Sequence, residues 1–338
     1  MINVAINGFG RIGRRVFRLL QDYKNIQVVA INDLAETKTL SHLLKYDSVH
    51  GIFNGDVSYD TNHIIANGQH IPLLNKKHPK DIIWKPFDVD FVIESTGKFK
   101  TTSDIEFHIK NGAKQVILSV PPIEDDIKTI VLGVNDESID GKETIISNAS
   151  CTTNNAAPMI DIINKLCGIN QAYITTVHSY TTDQSLHDQP HRDLRRARAA
   201  SQSIVPTTTG AAKALTKIFP ELSDVIGGCG IRVPVINGSL TDITFNVKKT
   251  VSIQDINNAF KEASQNQYKN ILEYTEDPIV SIDIVGNTHS CVFDSQMTSV
   301  IGNMVKIIGW YDNETGYSKR IIDLLCNLSE KKCVLSIK

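Results

Sequence analysis

The chain has 338 residues, of which 41% are apolar, and a formal net charge of −2 at neutral pH. This length suits two domains with sizeable cores, and the near-zero charge gives no electrostatic drive toward nucleic acid or a membrane surface. No apolar run approaches the roughly 18 residues that a membrane span needs. Met1-Ile2-Asn3-Val4 opens directly on a strand pattern, with no signal peptide expected. The six cysteines, at 151, 167, 229, 291, 326 and 333, form no Cys-x-x-Cys pair. That spacing predicts no zinc site, and without an export signal it predicts reduced thiols in a cytoplasmic protein.

Residues 2–6 predict a buried strand. Asn7-Gly8-Phe9-Gly10-Arg11-Ile12-Gly13 follows, and then Ile12, Val16, Leu19 and Leu20 share a helix face. Gly8, Gly10 and Gly13 therefore make G-x-G-x-x-G between a strand and a helix. The first glycine permits the tight turn, the second lets backbone approach a pyrophosphate, and the third lets helix and strand pack closely. A second strand, Gln27–Asn32, ends at Asp33, 20 residues after Gly13. A carboxylate there can accept hydrogen bonds from the adenosine ribose hydroxyls and would repel a 2′-phosphate, which favours NAD over NADP. The alternation continues with a helix at Thr39–Lys45, turns at Asn54-Gly55 and Asn67-Gly68, a strand at Val89–Glu94 and a helix at Asp104–Asn111. Strands at Gln115–Ser119, Ile130–Val134 and Thr144–Ile146 complete the pattern. The prediction for residues 1–150 is α/β: a doubly wound, mostly parallel Rossmann domain that binds NAD.

Ser147-Asn148-Ala149-Ser150-Cys151-Thr152-Thr153-Asn154 comes next. After it, Ala156, Met159, Ile160, Ile163 and Leu166 recur at helical spacing, so Cys151 stands where a strand hands over to a helix. Ser150 and Thr152 are good N-cap types. The N–H groups of a helix's first turn favour thiolate over thiol and predict a lowered cysteine pKa. The second half changes character. Ala172–Val177 is a β-branched strand with His178 at its end, and a long irregular stretch follows at 179–202. Thr241–Lys248 alternates as a strand, and further strands are expected near Val280–Ile284, Ser290–Phe293 and Met304–Trp310. A helix at Ile253–Ser264 and a final helix at Tyr317–Leu328 complete an α+β domain on a largely antiparallel sheet. The catalytic domain is expected over 151–313, with the C-terminal helix, 314–338, completing the first domain.

A dinucleotide domain that ends at an uncovered cysteine suggests oxidation of an aldehyde through a thioester. A bare aldehyde has no hydroxyl to oxidise, and addition of a thiolate creates one. A base must take the thiol and hemiacetal protons, and His178 is the natural candidate. A lone histidine at a strand end is more often structural; the flanking Ser-Tyr-Thr-Thr-Asp favours the catalytic reading here.

At this point the residues resemble one family, phosphorylating glyceraldehyde-3-phosphate dehydrogenase of the NAD-dependent bacterial type. The resemblance runs over essentially the whole chain. It is carried by Asn7–Gly13, Tyr46–Gly51, Ser147–Asn154, His178–Gln184, Asp193–Ala200, Pro206–Lys213, Arg232-Val233-Pro234 and Trp310–Ser318. It implies conversion of glyceraldehyde 3-phosphate, inorganic phosphate and NAD to 1,3-bisphosphoglycerate and NADH in glycolysis and gluconeogenesis. Cys151 would be the nucleophile and His178 the base, with the Cys151 N–H and His178 stabilising the oxyanion. Thr181, Arg196 and Arg232 would hold the substrate's phosphate. Ser150, Thr152, Thr209 and Gly210 would receive inorganic phosphate. Gly8, Gly10, Arg11, Ile12, Gly13, Asp33, Lys77, Ser119 and Asn313 would contact NAD, Asn313 through the nicotinamide amide. The basic cluster His191, Arg192, Arg195, Arg196 and Arg198, read alone, is a nucleic-acid patch. The resemblance instead puts it beside a neighbouring subunit's cofactor and implies a homotetramer. Two positions depart from the family pattern: Lys77 replaces an arginine of many relatives, and Thr315 replaces the usual tryptophan.

Erythrose-4-phosphate dehydrogenase shares the fold, cysteine and histidine and is the rival enzyme. Thr207-Thr208-Thr209-Gly210-Ala211-Ala212-Lys213 favours the phosphorylating form against it. A non-catalytic binding protein of the same fold would predict damage at Cys151, His178 or the glycine loop, and all three are intact.

Overall fold

The computed structural model describes residues 1–336, with side chains described through Lys331; the last two residues of the helix expected over 314–338, and the thiol of Cys333, lie outside the described residues. The chain divides into two compact units. One comprises residues 1–130, 137–149 and 318–338, the other 131–136 and 150–317.

The first unit is built on a nine-stranded sheet. Its spatial order is Lys128–Thr129, Ile145–Ser147, Gln115–Leu118, Phe91–Glu94, Ile2–Asn7, Ile26–Asn32, Gln69–Leu74, His63–Ala66 and Val57–Tyr59. The first seven strands run parallel and the last two are antiparallel additions. The central strands are buried on both sides, as apolar runs such as Phe91-Val92-Ile93 require. The helices α1 (Arg11–Leu20), α2 (Thr37–Lys45) and α3 (Thr102–Lys110) connect them. α3 is capped by Thr101, whose hydroxyl accepts from the Asp104 N–H. At the start of α1 the close approach of backbone is severe: a Cβ on Gly13 would stand 2.2 Å from the Gly8 carbonyl oxygen. Gly13→Ala should therefore destabilise the protein by about 1–3 kcal/mol, the usual range for overpacking. Urea unfolding beside the unaltered chain reads this; an unchanged midpoint would mean that the loop yields freely.

The second unit holds a mixed, largely antiparallel eight-stranded sheet. Its order is Val205–Thr207, Ile226–Val233, Ile169–Ser179, Ser239–Val247, Met304–Tyr311, Cys291–Asp294 and Leu272–Thr275, with Ser299–Ile301 also on Met304–Tyr311. Two pairs are parallel, Ile169–Ser179 with Ile226–Val233 and Leu272–Thr275 with Cys291–Asp294. Helix α4 (Cys151–Cys167) buries Ala156, Met159, Ile160 and Ile163; α5 (Ala211–Ile218) and α6 (Ile253–Gln265) complete this unit. Helix α7 (Thr315–Ser336) begins here and continues into the first unit from Ser318. Asp312 Oδ1 accepts from the N–H groups of Glu314 and Thr315, and Thr315 itself is fully buried.

Two expected strands are turns. At 130–134 the polar side chains that follow capture the backbone: Asn135 Oδ1 accepts from Val131 N and Asp136 Oδ1 from Gly133 N, with Gly133 at φ +80°. The strand there is shorter and earlier, Lys128–Thr129. At 280–284 the Asp283 carboxylate accepts from Val280 N at 2.7 Å, and Val280 and Ile282 are exposed despite their β-branched type. In both places local side-chain hydrogen bonds outcompete strand propensity.

Candidate active site

Cys151 is the first residue of α4. Ser150 caps the helix, its hydroxyl accepting from Thr153 N at 3.1 Å. Just before it, Ala149 adopts φ +56°, a left-handed conformation that costs a non-glycine residue about 1–2 kcal/mol. Ser147 Oγ accepts from Ala149 N at 3.1 Å and helps to hold that turn. The turn aims the first residue of the helix, and nothing in the local sequence announces it.

Strand pairing supplies the partners of Cys151. His178 and Arg232 are direct ladder partners on the parallel strands Ile169–Ser179 and Ile226–Val233. Cys151 Sγ lies 3.4 Å from His178 Nε2. His178 Nδ1 lies 2.7 Å from the Ser179 carbonyl oxygen and 2.7 Å from Arg232 Nη1. Arg232 also donates to the Ser179 carbonyl at 3.0 Å. Two tautomers share this geometry: with Nδ1–H donated to the Ser179 carbonyl, Nε2 is a lone pair facing the thiol; with Nδ1 accepting from Arg232, Nε2 carries the hydrogen toward sulfur. Ser179 continues the chain of contacts: its hydroxyl, with that of Ser239, donates to Asn313 Oδ1 at 2.9 and 3.0 Å. The Asn313 carbonyl oxygen is thereby turned toward the protein and its NH₂ away from these hydroxyls.

The electrostatics correct one expectation. Burial pushes the Cys151 thiol up, while Arg232, the Thr152 hydroxyl and nearby N–H groups pull it down without overturning that effect. Burial, aided by the Arg232 cation, pushes His178 down to about 3. Neutral thiol and neutral imidazole are thus favoured over thiolate and imidazolium. The helix terminus expected to lower the thiol pKa is outweighed by desolvation.

The anion-binding candidates have the following local settings. Arg196 Nε donates to Thr207 Oγ1 at 3.0 Å, Nη2 donates to the Thr208 carbonyl at 3.3 Å, and Nη1 pairs with Asp183. Thr209 Oγ1 accepts from Ala211 N at 3.2 Å, and Gly210 precedes α5. Thr152 is buried, its hydroxyl 2.9 Å from that of Tyr311. Thr181 is half-buried two residues beyond Ser179. In the basic cluster, Arg198 pairs with Asp188 at 2.8 Å and Arg196 with Asp183, so part of its charge is neutralised within the loop. Tyr311 escaped the sequence reading. Its ring meets that of His178 edge-on at 5.9 Å, and only the ladder that brings 304–311 beside 239–247 puts it there.

In the first unit a cleft of about 320 Å³ is lined by Asn7, Gly8, Gly10, Asn32, Asp33, Lys77 and Thr96, among others. Asp33 Oδ2 accepts from Phe9 N at 2.7 Å, so the carboxylate also braces the glycine turn. Gly8, at φ +93°, has no room for a Cβ, which would lie 2.7 Å from Thr96 N; at Gly10 a Cβ would meet nothing within 4 Å. Gly10 thus keeps open surface at the start of α1, where no side chain caps the helix. Such a surface suits a pyrophosphate. Arg11 makes a two-pronged pair with Asp47, at 2.7 and 3.1 Å. Ile12 follows it on α1, half-buried. Ser119 is buried at the end of the strand Gln115–Leu118, its N–H donated to the Glu94 carbonyl. Beneath the cleft, buried Glu94 accepts from Asn7 and from Thr96 Oγ1, and faces His108 Nε2 at 3.2 Å. Trp84 Nε1 donates to His108 Nδ1 at 3.0 Å, which leaves Nε2 to carry the hydrogen shared with Glu94. This network too was invisible in the sequence, because its members come from four separate segments.

A dinucleotide-binding parallel sheet in one unit, and in the other a half-buried cysteine at a helix start against a buried histidine, are the parts of an NAD-dependent oxidoreductase. Comparison with known proteins narrows this. Residues 2–102 match the family model described as glyceraldehyde 3-phosphate dehydrogenase, NAD binding domain, and residues 150–313 match that of the C-terminal domain. Similar proteins include glyceraldehyde-3-phosphate dehydrogenase 1 of Bacillus cereus, 47% identical over 98% of this chain and 99% of that one. The glyceraldehyde-3-phosphate dehydrogenase of Geobacillus stearothermophilus is 48% identical over 98% and 99%. That of Thermotoga maritima is 50% identical over 96% and 98%. The chain belongs to the glyceraldehyde 3-phosphate dehydrogenase family.

Proposed function

We propose that this chain oxidises glyceraldehyde 3-phosphate to 1,3-bisphosphoglycerate with Cys151 as nucleophile and His178 as its base. The observation that carries the reading is the Cys151–His178 contact at 3.4 Å, at the first turn of α4, with Arg232 against the far side of the imidazole. Cys151 Sγ forms a bond to the aldehyde carbon as its proton passes to His178 Nε2, and the carbonyl oxygen takes that proton from the imidazolium to become a hydroxyl, which leaves the imidazole neutral again. The Cys151 N–H, at the helix start, steadies the charge that develops on that oxygen. NAD, when bound, accepts the hydride that leaves the same carbon. His178 takes the hydroxyl proton, which leaves a thioester on Cys151. An oxygen of inorganic phosphate then adds to the acyl carbon and the thiolate leaves.

Gly8, Gly10 and Gly13, with Arg11, Ile12, Asp33, Lys77 and Ser119, are the residues for NAD in the first unit. Asn313 serves the nicotinamide amide, its NH₂ left as the donor once two serines occupy its oxygen. Arg232, Thr181 and Arg196 serve the substrate phosphate; Ser150, Thr152, Thr209 and Gly210 serve inorganic phosphate. Hydroxyls, guanidinium and helix-start N–H groups are the donors phosphate needs. Burial is the larger effect that holds His178 down and the Arg232 cation the lesser; a phosphate on Arg232 offsets the lesser one and so shifts the histidine upward.

The assembly we favour is a homotetramer in the cytoplasm. Leu186, Leu194 and Ile204 in and beside the 179–202 loop, and Tyr173 and Met304 on the second sheet, are exposed apolar side chains that copies of the chain would cover. Among the described residues no helix is long and apolar enough to cross a membrane.

Initial NADH formation with glyceraldehyde 3-phosphate, with and without phosphate and beside erythrose 4-phosphate, tests the reading. Fast, phosphate-dependent turnover of the triose is expected. Phosphate-independent turnover, or preference for the tetrose, would mean that water attacks the thioester and that Thr209 and Gly210 are misassigned.

A further inference from the structure

The outer edge of the first sheet carries a cluster that the oxidation chemistry does not use. Asp60 lies in the turn between Val57–Tyr59 and His63–Ala66, His63 on the second of these strands, and His70 on Gln69–Leu74. The hairpin register pairs Ile65 with His70 and His63 with Pro72, so both histidines point to one face. Ile64, Ala66 and Ile71 point to the other and are buried. A slip of one residue would bury both imidazoles and expose three apolar side chains, so the hydrophobic face fixes the histidines outward. The Asn67-Gly68 turn, with φ +50° and +80°, closes the hairpin tightly.

Asp60 is equally well held. Its carbonyl accepts from Thr37 Oγ1 of α2 at 2.7 Å, and its N–H donates to the His63 carbonyl at 3.1 Å. Oδ1 accepts from the N–H groups of Asn62 and His63 and lies 2.9 Å from His63 Nδ1. Oδ2 stands 3.0 Å from His63 Nδ1 and 3.6 Å from His70 Nδ1. One donor atom from each of the three residues falls within 4.8 Å of the others. In a tetrahedral zinc centre with bonds of about 2.0–2.1 Å, ligand atoms lie roughly 3.3 Å apart. Two sides of the triangle are thus already close to that spacing, and a turn of the exposed His70 ring closes the third.

We propose that Asp60, His63 and His70 form a surface site for a divalent transition-metal ion of the zinc or nickel class. The donor set is two imidazole nitrogens and one carboxylate oxygen, which suits borderline cations over magnesium or calcium. Water completes the coordination, because the protein supplies three ligands on an open face. The cysteine spacing that argues against a zinc site elsewhere does not bear on these residues. A bound ion clips the turn and both strands of the hairpin together at the sheet's edge and stabilises the folded chain by mass action.

The test is calorimetric titration of the full chain with zinc chloride, in a Cys151→Ser background that removes the reactive thiol. The same chain carrying His70→Asn, and separately Asp60→Asn, runs in parallel, with thermal midpoints recorded with and without zinc. The parent should bind one more equivalent than either variant, or bind it at least tenfold more tightly. Zinc should raise the parent's midpoint and leave those of the variants less changed. Identical isotherms and identical midpoint shifts in parent and variants, or no binding by the parent, would overturn the site. All three residues are exposed or half-exposed, so the substitutions leave the core untouched.

Discussion

Replacing Cys151 with serine should abolish NADH formation from glyceraldehyde 3-phosphate, by on the order of 10⁴-fold or more, the scale on which loss of a covalent nucleophile acts. The alcohol is a far weaker nucleophile than the thiol near neutral pH, and the neutral imidazole opposite it cannot hold an alkoxide. Its shorter bond to carbon also draws the oxygen back from His178 Nε2, which already stands 3.4 Å from sulfur. NAD binding should survive, because the cleft in the first unit is lined by residues remote in sequence from 151. Fluorescence titration with NAD beside a single-turnover assay separates the two effects. Full activity in the serine variant would sink the covalent route.

The second large effect is expected at His178. His178→Asn should slow thioester formation by roughly 10²–10⁴-fold, the usual range for a general base. Rapid-quench measurement of the first turnover reads that step directly, and an unchanged rate with an unchanged pH profile would remove histidine from the assignment. The same substitution has an opposite signature in stability. His178 is buried, with its pKa pushed down to about 3 against about 6.5 in an unfolded chain. Between those values the unfolded chain binds the extra proton, so stability is fully present above pH 6.5 and is lost as pH falls toward 3. By pH 5 the loss from this one group reaches about 2 kcal/mol. The asparagine variant should lack that component in urea unfolding compared at pH 7.5 and pH 5. An equal acid loss in both proteins would show that another group carries it.

What could be read in the sequence was what is local. The glycine turn, Asp33 and the helix start at Cys151 each rest on a few consecutive residues, and each stands where its pattern predicts. The contact between Cys151 and His178 could not be read, because 27 residues of spacing say nothing about distance. It arises because α4, which opens on Cys151, packs against the strand Ile169–Ser179 that carries His178 at its end. Tyr311 and the Trp84–His108–Glu94 chain were hidden for the same reason, being gathered by topology. The strands expected at 130–134 and 280–284 failed for a different cause. There Asn135, Asp136 and Asp283 bond to nearby N–H groups and close turns that β-branched composition alone does not foresee.

The ladder pairing of His178 with Arg232 makes the chain unevenly tolerant of changes in length. Side chains alternate faces along a strand, so losing or gaining one residue between Ala172 and His178 would swing the imidazole to the opposite face of the sheet, with the strand itself still formed. The irregular segment from 180 to 202 carries no such parity. A one-residue change there should spare the strand register, provided that Thr181 and Arg196 keep their places.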